Sequence, residues 1–98
     1  MEVQFAEQNL SLLETRQAGS TGLPVGVIRS ARRALTILRA APDEQLLRGW
    51  RSLHYREISG ERDGLRAIKL SEKKTMLLKL DPVREPPAIT LLGIEDDD

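Results

Sequence analysis

Polar and apolar residues alternate at the start of the chain, where "MEVQFA" sets Val3 and Phe5 among polar neighbours. That is the period of a half-buried strand. In "EQNLSLLETRQ", Leu10 and Leu13 stand three apart on one helical face, and the "AGSTG" cluster ends the segment. Pro24 suits the first turn of the next helix, where its missing N–H has no partner to lose. Val25, Ile28, Ala31, Leu35 and Leu38 then form an apolar stripe, with Arg29, Arg32, Arg33 and Arg39 largely off it. The stripe runs to Ala41 and stops before Pro42. "PDEQLLRGW" reads as one more short turn or helix, with Asp43 and Glu44 at its positive end.

Beyond Trp50 the period changes. "SLHYREI" alternates loosely, "SGERDG" is a turn and "LRAIKL" a strand. "SEKK" is a tight turn, "TMLLKL" a strand, "DPVREPP" a loop with three prolines, and "AITLLGI" the last strand. Three strands joined by short connections make an antiparallel meander. The expected fold is therefore α+β in two layers, with an N-terminal strand, two helices and a three-stranded antiparallel meander. Without repeats or low-complexity segments, residues 1–98 read as one domain. The last strand is apolar enough to lie inside the sheet. The acids that follow it are then either a solvated tail or part of the working face.

Composition narrows the chemistry. A hydrophobic content of 40% with 31% charged residues fits a globular chain. No apolar run is long enough for a membrane span, and the N-terminus lacks a signal pattern, so a cytoplasmic protein with no membrane partner is expected. The absence of cysteine excludes a disulfide framework, a thiol nucleophile and a Cys-based zinc site, and a single histidine excludes a multi-histidine metal site. No nucleotide-cradling glycine loop is present, and no metal or cofactor is expected. The aromatics are Phe5, Trp50 and Tyr55, a poor supply for base stacking, and Trp50 is expected in the core.

The net charge of zero conceals a polarised chain. Residues 24–79 carry thirteen Arg or Lys against six Asp or Glu, whereas the flanks carry Arg16 and Arg84 against nine acids. Local fields attract polyanions, so the basic centre points to nucleic acid. On the helix the same charge could simply solvate an outer face. On the meander, Arg56, Arg62, Arg66, Lys69, Lys73, Lys74 and Lys79 could grip phosphates or discourage edge-to-edge aggregation. Arg66 and Lys69 fall on opposite strand faces. His54 is a candidate general acid or base, or a structural histidine at a strand start.

The run "LPVGVIRSARRALTILRAAPDEQLLRGWRSLHYREISGERDG", a basic strand and the closing "GIED" resemble the HigB-like plasmid maintenance killer proteins of the RelE/ParE toxin superfamily. The resemblance covers nearly the whole chain and is most specific in "RAAPDE", "SLHYREISGERDG" and "GIED". It implies a RelE-like fold, a cytoplasmic toxin neutralised by a helix-turn-helix (HigA-like) antitoxin, and ribosome-dependent, metal-independent cleavage of mRNA. It places His54, Arg62 and Lys69 at functional or phosphate-facing positions. Together with the basic set on the meander, the expected catalytic residues are His54, Lys69 and Asp96, with Arg56, Arg62, Arg66, Lys73 and Lys74 binding RNA.

The chain departs from that pattern. The family ending "GIEDYH" becomes "GIEDDD", so Asp97 and Asp98 stand for Tyr and His. Its "DQWRL" becomes "EKKTM", with Lys74 for the aromatic and Thr75 for the arginine; Arg66 stands where an aromatic is common. Carboxylic acids that ionise near pH ~4 are poor proton donors at neutrality. Weakened catalysis is the corresponding expectation. The alternatives are a catalytically degenerate module that pairs with its antitoxin and regulates the operon, and a ParE-like inhibitor of DNA gyrase.

Overall fold

The computed structural model describes residues 1–58, 64–81 and 83–96. Most of the "SGERDG" turn, with Arg62, and the final Asp97 and Asp98 lie outside the described residues. The elements are strand β1 (Glu2–Phe5), helix α1 (Val25–Ala40), helix α2 (Glu44–Gly49), and strands β2 (Tyr55–Glu57), β3 (Leu65–Lys69), β4 (Lys74–Asp81) and β5 (Ala88–Asp96). They form one sheet in the order β1-β5-β4-β3-β2. The expected α+β order holds, and the meander gains a fourth strand, β2. β1 pairs parallel with β5, which makes β5 an inner strand, and the other pairings are antiparallel.

One expected helix takes a different form. Residues 8–14 and 18–21 are 3-10 helix. Ser11 and Thr15 donate from their hydroxyls to the carbonyls of Gln8 (2.6 Å) and Leu12 (2.8 Å), and Ser20 and Thr21 make the same three-residue contact. Hydroxyls that bond their own backbone compete with a regular α-ladder, and the tighter helix results. Arg32 holds this segment to α1, donating to the carbonyls of Leu13 and Thr15 at 2.6 Å each, and Arg39 pairs with Glu14.

Along α1 the buried face carries Val27, Ile28, Ala31, Ala34, Leu35, Ile37 and Leu38. Val25, expected on that stripe, is exposed, because Pro24 takes the N-cap and leaves Val25 in the opening turn. The helix ends as expected, the Ala41 N–H donating to the Ile37 carbonyl at 3.0 Å. The nitrogen of Met1 reaches the carbonyls of Leu38 (3.1 Å) and Arg39 (3.2 Å), fastening the start of β1 to the last turn of α1. It satisfies carbonyls that a helix end leaves without partners.

The helices cover one sheet face, where Ile68, Met76, Leu78, Leu80, Ile89 and Leu91 join the α1 residues in the core. Each fully buried leucine contributes about 1.5–3 kcal/mol relative to exposure. A bulge makes the β5 pattern possible: Leu77 opposes Gly93 but Leu78 opposes Leu91, leaving Leu92 as the extra residue. Leu91 and Ile94, three apart, can then both face the helices. The bulge also sets Asp96 on the helix side and Glu95 on the other.

Candidate functional site

The short 3-10 turn Arg51–Leu53 leads into β2 and fixes the local geometry. Leu53 is buried and anchors the turn. The next residue, His54, adopts the left-handed conformation with φ 54° and ψ 39°, and its N–H donates to the Arg51 carbonyl at 3.1 Å. A non-glycine residue rarely takes that conformation, and such positions cluster at functional sites. The kink turns the chain from the 3-10 turn into the sheet edge and leaves His54 exposed.

His54 lines a pocket of about 230 Å³ between α1 and the end of β3. Its apolar residues are Ala34, Leu53, Ile68 and Leu70, and its polar ones are Ser30, Arg33, Ser52, His54 and Lys69. No carboxylate is among these lining residues. Arg33 donates through Nη2 to the Ser52 hydroxyl at 2.8 Å, which fixes the guanidinium at the rim. Two of the three expected catalytic residues, His54 and Lys69, therefore share one pocket with a cation from α1. Asp96 is not among the lining residues. It lies at the end of β5, paired with Lys74 from β4. The hydrogen bond and charge of Lys74 hold its carboxyl below the usual range, so Asp96 is a carboxylate at neutral pH and not a proton donor.

The basic residues separate into groups. Arg56 is exposed opposite Ala67, and Lys69 and Lys79 lie on the same sheet face by alternation, away from the core. Lys73 is exposed in the β3–β4 turn. Arg66 departs from the expected phosphate-binding surface: it is 9% exposed and turned toward α2. Its Nε lies 2.5 Å from Glu44 and its Nη2 3.1 Å from Glu57. The reason is strand parity, since Arg66 shares the inward face with Ile68.

Glu44 is the hub of that cluster. It accepts from the Tyr55 hydroxyl at 2.5 Å and from Arg48 at 3.1 Å, besides Arg66. Burial pushes its carboxyl up, but the bonds from Arg66, Tyr55 and Arg48 outweigh that and hold it below the usual range. Burial, followed by the bond to Glu44, raises the Tyr55 hydroxyl, which stays a protonated donor. The cluster pins α2 to the residue that follows His54. Only part of it was visible in sequence: Glu44 and Arg48 are spaced as a helical i,i+4 pair.

Two further placements differ from expectation. Trp50, expected in the core, is 41% exposed and donates through Nε1 to the Ser52 hydroxyl at 3.0 Å. Thr75, in place of the family arginine, is buried between Lys69 and Glu95 on the neighbouring strands, and its hydroxyl has no hydrogen-bond partner among the described residues.

Among the described residues, no cluster of three His, Cys, Asp or Glu could hold a metal, and no helix is long and apolar enough to cross a membrane. No family model and no curated protein sequence matches the chain. Among solved structures it is similar to a YoeB/ParE toxin from Agrobacterium tumefaciens, with a TM-score of 0.61 over 100% of both chains at 7% identity. The fold is RelE/ParE-like. At that identity the match speaks for the architecture, and the chemistry rests on this chain's own residues.

Proposed function

We propose that this chain is the toxin of a type II toxin–antitoxin pair, a HigB-like endoribonuclease that cleaves ribosome-bound mRNA at the His54 pocket. The observation that carries the reading is that His54, Lys69 and Arg33 line one pocket with no carboxylate among its lining residues. A phosphodiester is the ligand such a pocket suits.

In this reading the substrate's own 2′-oxygen forms a bond to the adjacent phosphorus as the bond to the 5′-oxygen breaks. The products are a 2′,3′-cyclic phosphate and a 5′-hydroxyl. One proton leaves the 2′-hydroxyl and another reaches the departing 5′-oxygen; imidazole is suited to either transfer near neutrality. Arg33, held at the rim by Ser52, stabilises the negative charge that grows on the phosphate oxygens. Asp96, held as a carboxylate by Lys74, does not serve as the proton donor. With Glu95 it leaves negative charge at the end of β5, which favours slow cleavage.

The partner in this reading is a HigA-like helix-turn-helix antitoxin whose acidic and apolar groups cover the basic centre. Purified protein mixed with programmed ribosomes tests the chemistry. Replacing His54 with Ala should slow cleavage about 10²- to 10⁴-fold, the usual contribution of a positioned acid or base. Unchanged cleavage in His54→Ala would remove the pocket from the reaction.

A further inference from the structure

We infer that Trp50 is a stacking platform for one base of a single-stranded RNA whose neighbouring phosphate enters the His54 pocket. This rests on the reading of that pocket as a phosphodiester site and adds to it a second subsite.

Three observations carry the inference. First, an open groove of about 540 Å³ lies beside α2, lined by Leu46, Trp50 and Arg51 among others, and it shares Ser52 with the His54 pocket. The two spaces share that one residue. Second, neither set of lining residues contains an Asp or Glu, while Arg33 and Arg51 supply positive charge. A nucleic-acid strand fits that combination, because its regularly spaced phosphates can meet the cations while a base meets the Trp50 face. Third, the Trp50 indole is exposed yet held in orientation by its bond to Ser52. A large aromatic face that is fixed before binding loses little freedom when a base stacks on it.

Ser52 also has the right remaining capacity. A hydroxyl has two acceptor positions and one donor. Arg33 and Trp50 both donate to Ser52, at 2.8 and 3.0 Å, leaving its own hydrogen to give away. A phosphate oxygen at the junction of the two spaces would accept it. The hydroxyl thus orients the indole and the guanidinium and can mark the point where the backbone crosses between subsites.

Trp50 is the only tryptophan, so intrinsic emission reports on this subsite alone. The test is titration of the protein with a short 2′-O-methyl oligoribonucleotide, which lacks the attacking hydroxyl and stays intact. Quenching that saturates with binding is expected. Trp50→Ala should weaken binding about 5- to 150-fold, as loss of one stacked base does, with Trp50→Phe in between. An oligomer carrying an abasic residue at the stacked position should lose the same factor against wild type and nothing further against Trp50→Ala. Circular dichroism checks that the variants fold.

Unmoved emission, or equal affinities for wild type and Trp50→Ala, would overturn the inference. If an acidic amphipathic peptide quenches and the oligomer does not, the groove serves a protein segment instead. Quenching by the oligomer without cleavage on ribosomes keeps the platform and removes the nuclease reading. Cleavage with emission unmoved by the oligomer does the reverse.

Discussion

Arg66 on β3 and Glu44 on α2 meet across 2.5 Å, joining the sheet to a helix of only six residues. That helix buries Leu47 and little else, so the ion pair and the Tyr55 bond are its main attachments. Losing half of a fully buried pair costs about 3–5 kcal/mol, and Glu44 keeps some solvent, so Arg66→Ala should cost about 2–4 kcal/mol. The denaturant midpoint should fall with an unchanged slope. Because the Glu44 carboxyl lies below its ordinary value in the folded chain, its contribution is complete above pH 4.5 and is lost as pH falls through the folded value. The wild-type advantage over Glu44→Gln should therefore shrink on acidification below pH 4.5. Parallel stability–pH curves for the two proteins would contradict this.

Gly64 offers a sharper test of the backbone. Its φ is +82°, and a Cβ there would stand 2.7 Å from the Leu80 carbonyl oxygen. The Gly64 carbonyl meanwhile accepts the Leu80 N–H at 2.7 Å, so neither chain can withdraw without losing that bond. Gly64→Ala should cost at least about 1–3 kcal/mol by thermal or chemical unfolding. An unchanged midpoint would mean that the β3–β4 pairing is looser than described.

The placement of charge gives a salt-dependence prediction. Arg56 and Lys73 are exposed, whereas Arg66 is turned inward. Arg56→Ala and Lys73→Ala should each weaken binding to single-stranded RNA and reduce its log–log salt slope by about 0.7 per lost phosphate contact. Arg66→Lys, which keeps the charge, should leave that slope unchanged while lowering stability. If Arg66→Lys moves the slope as much as the two exposed variants, the division of these residues is wrong.

Local pattern revealed the elements better than their partners. Pro24, the stripe to Leu38 and Pro42 marked α1 because capping, period and breaker agree within one segment. The 3-10 stretch was missed because the hydroxyls of Ser11 and Thr15 decide it, and a two-leucine spacing cannot register them. The parallel pairing of β1 with β5 joins opposite ends of the chain, and no local period encodes it. Parity did separate Arg66 from Lys69, but that Arg66 would meet Glu44 depends on how α2 docks. Trp50 was misplaced because so short a helix has no reliable buried face. His54 and Lys69 were legible as residue types, whereas Arg33 and Ser52 enter the site only through tertiary packing.

Under the proposed nuclease reading, the acids that follow β5 should limit the cleavage rate. Asp97 and Asp98 extend the negative charge of Glu95 and Asp96 where the resembling family ends in Tyr and His. Joint replacement by Asp97→Tyr and Asp98→His should raise cleavage of ribosome-bound mRNA at least about tenfold, toward the usual contribution of an acid or base. Asp97→Asn with Asp98→Asn should tighten RNA binding and leave cleavage nearly unchanged. Equal rates for all three proteins would assign these residues to a solvated tail.

Inducible expression in a bacterium, followed by mapping of mRNA 5′ ends, tests cleavage at the His54 pocket most directly. Wild type should produce slow growth arrest with new 5′-hydroxyl ends in translated regions. Both should disappear with His54→Ala and on co-expression of the helix-turn-helix antitoxin proposed as its partner. Arrest with intact mRNA and a DNA-damage response would contradict the account, as would cleavage that persists undiminished in His54→Ala.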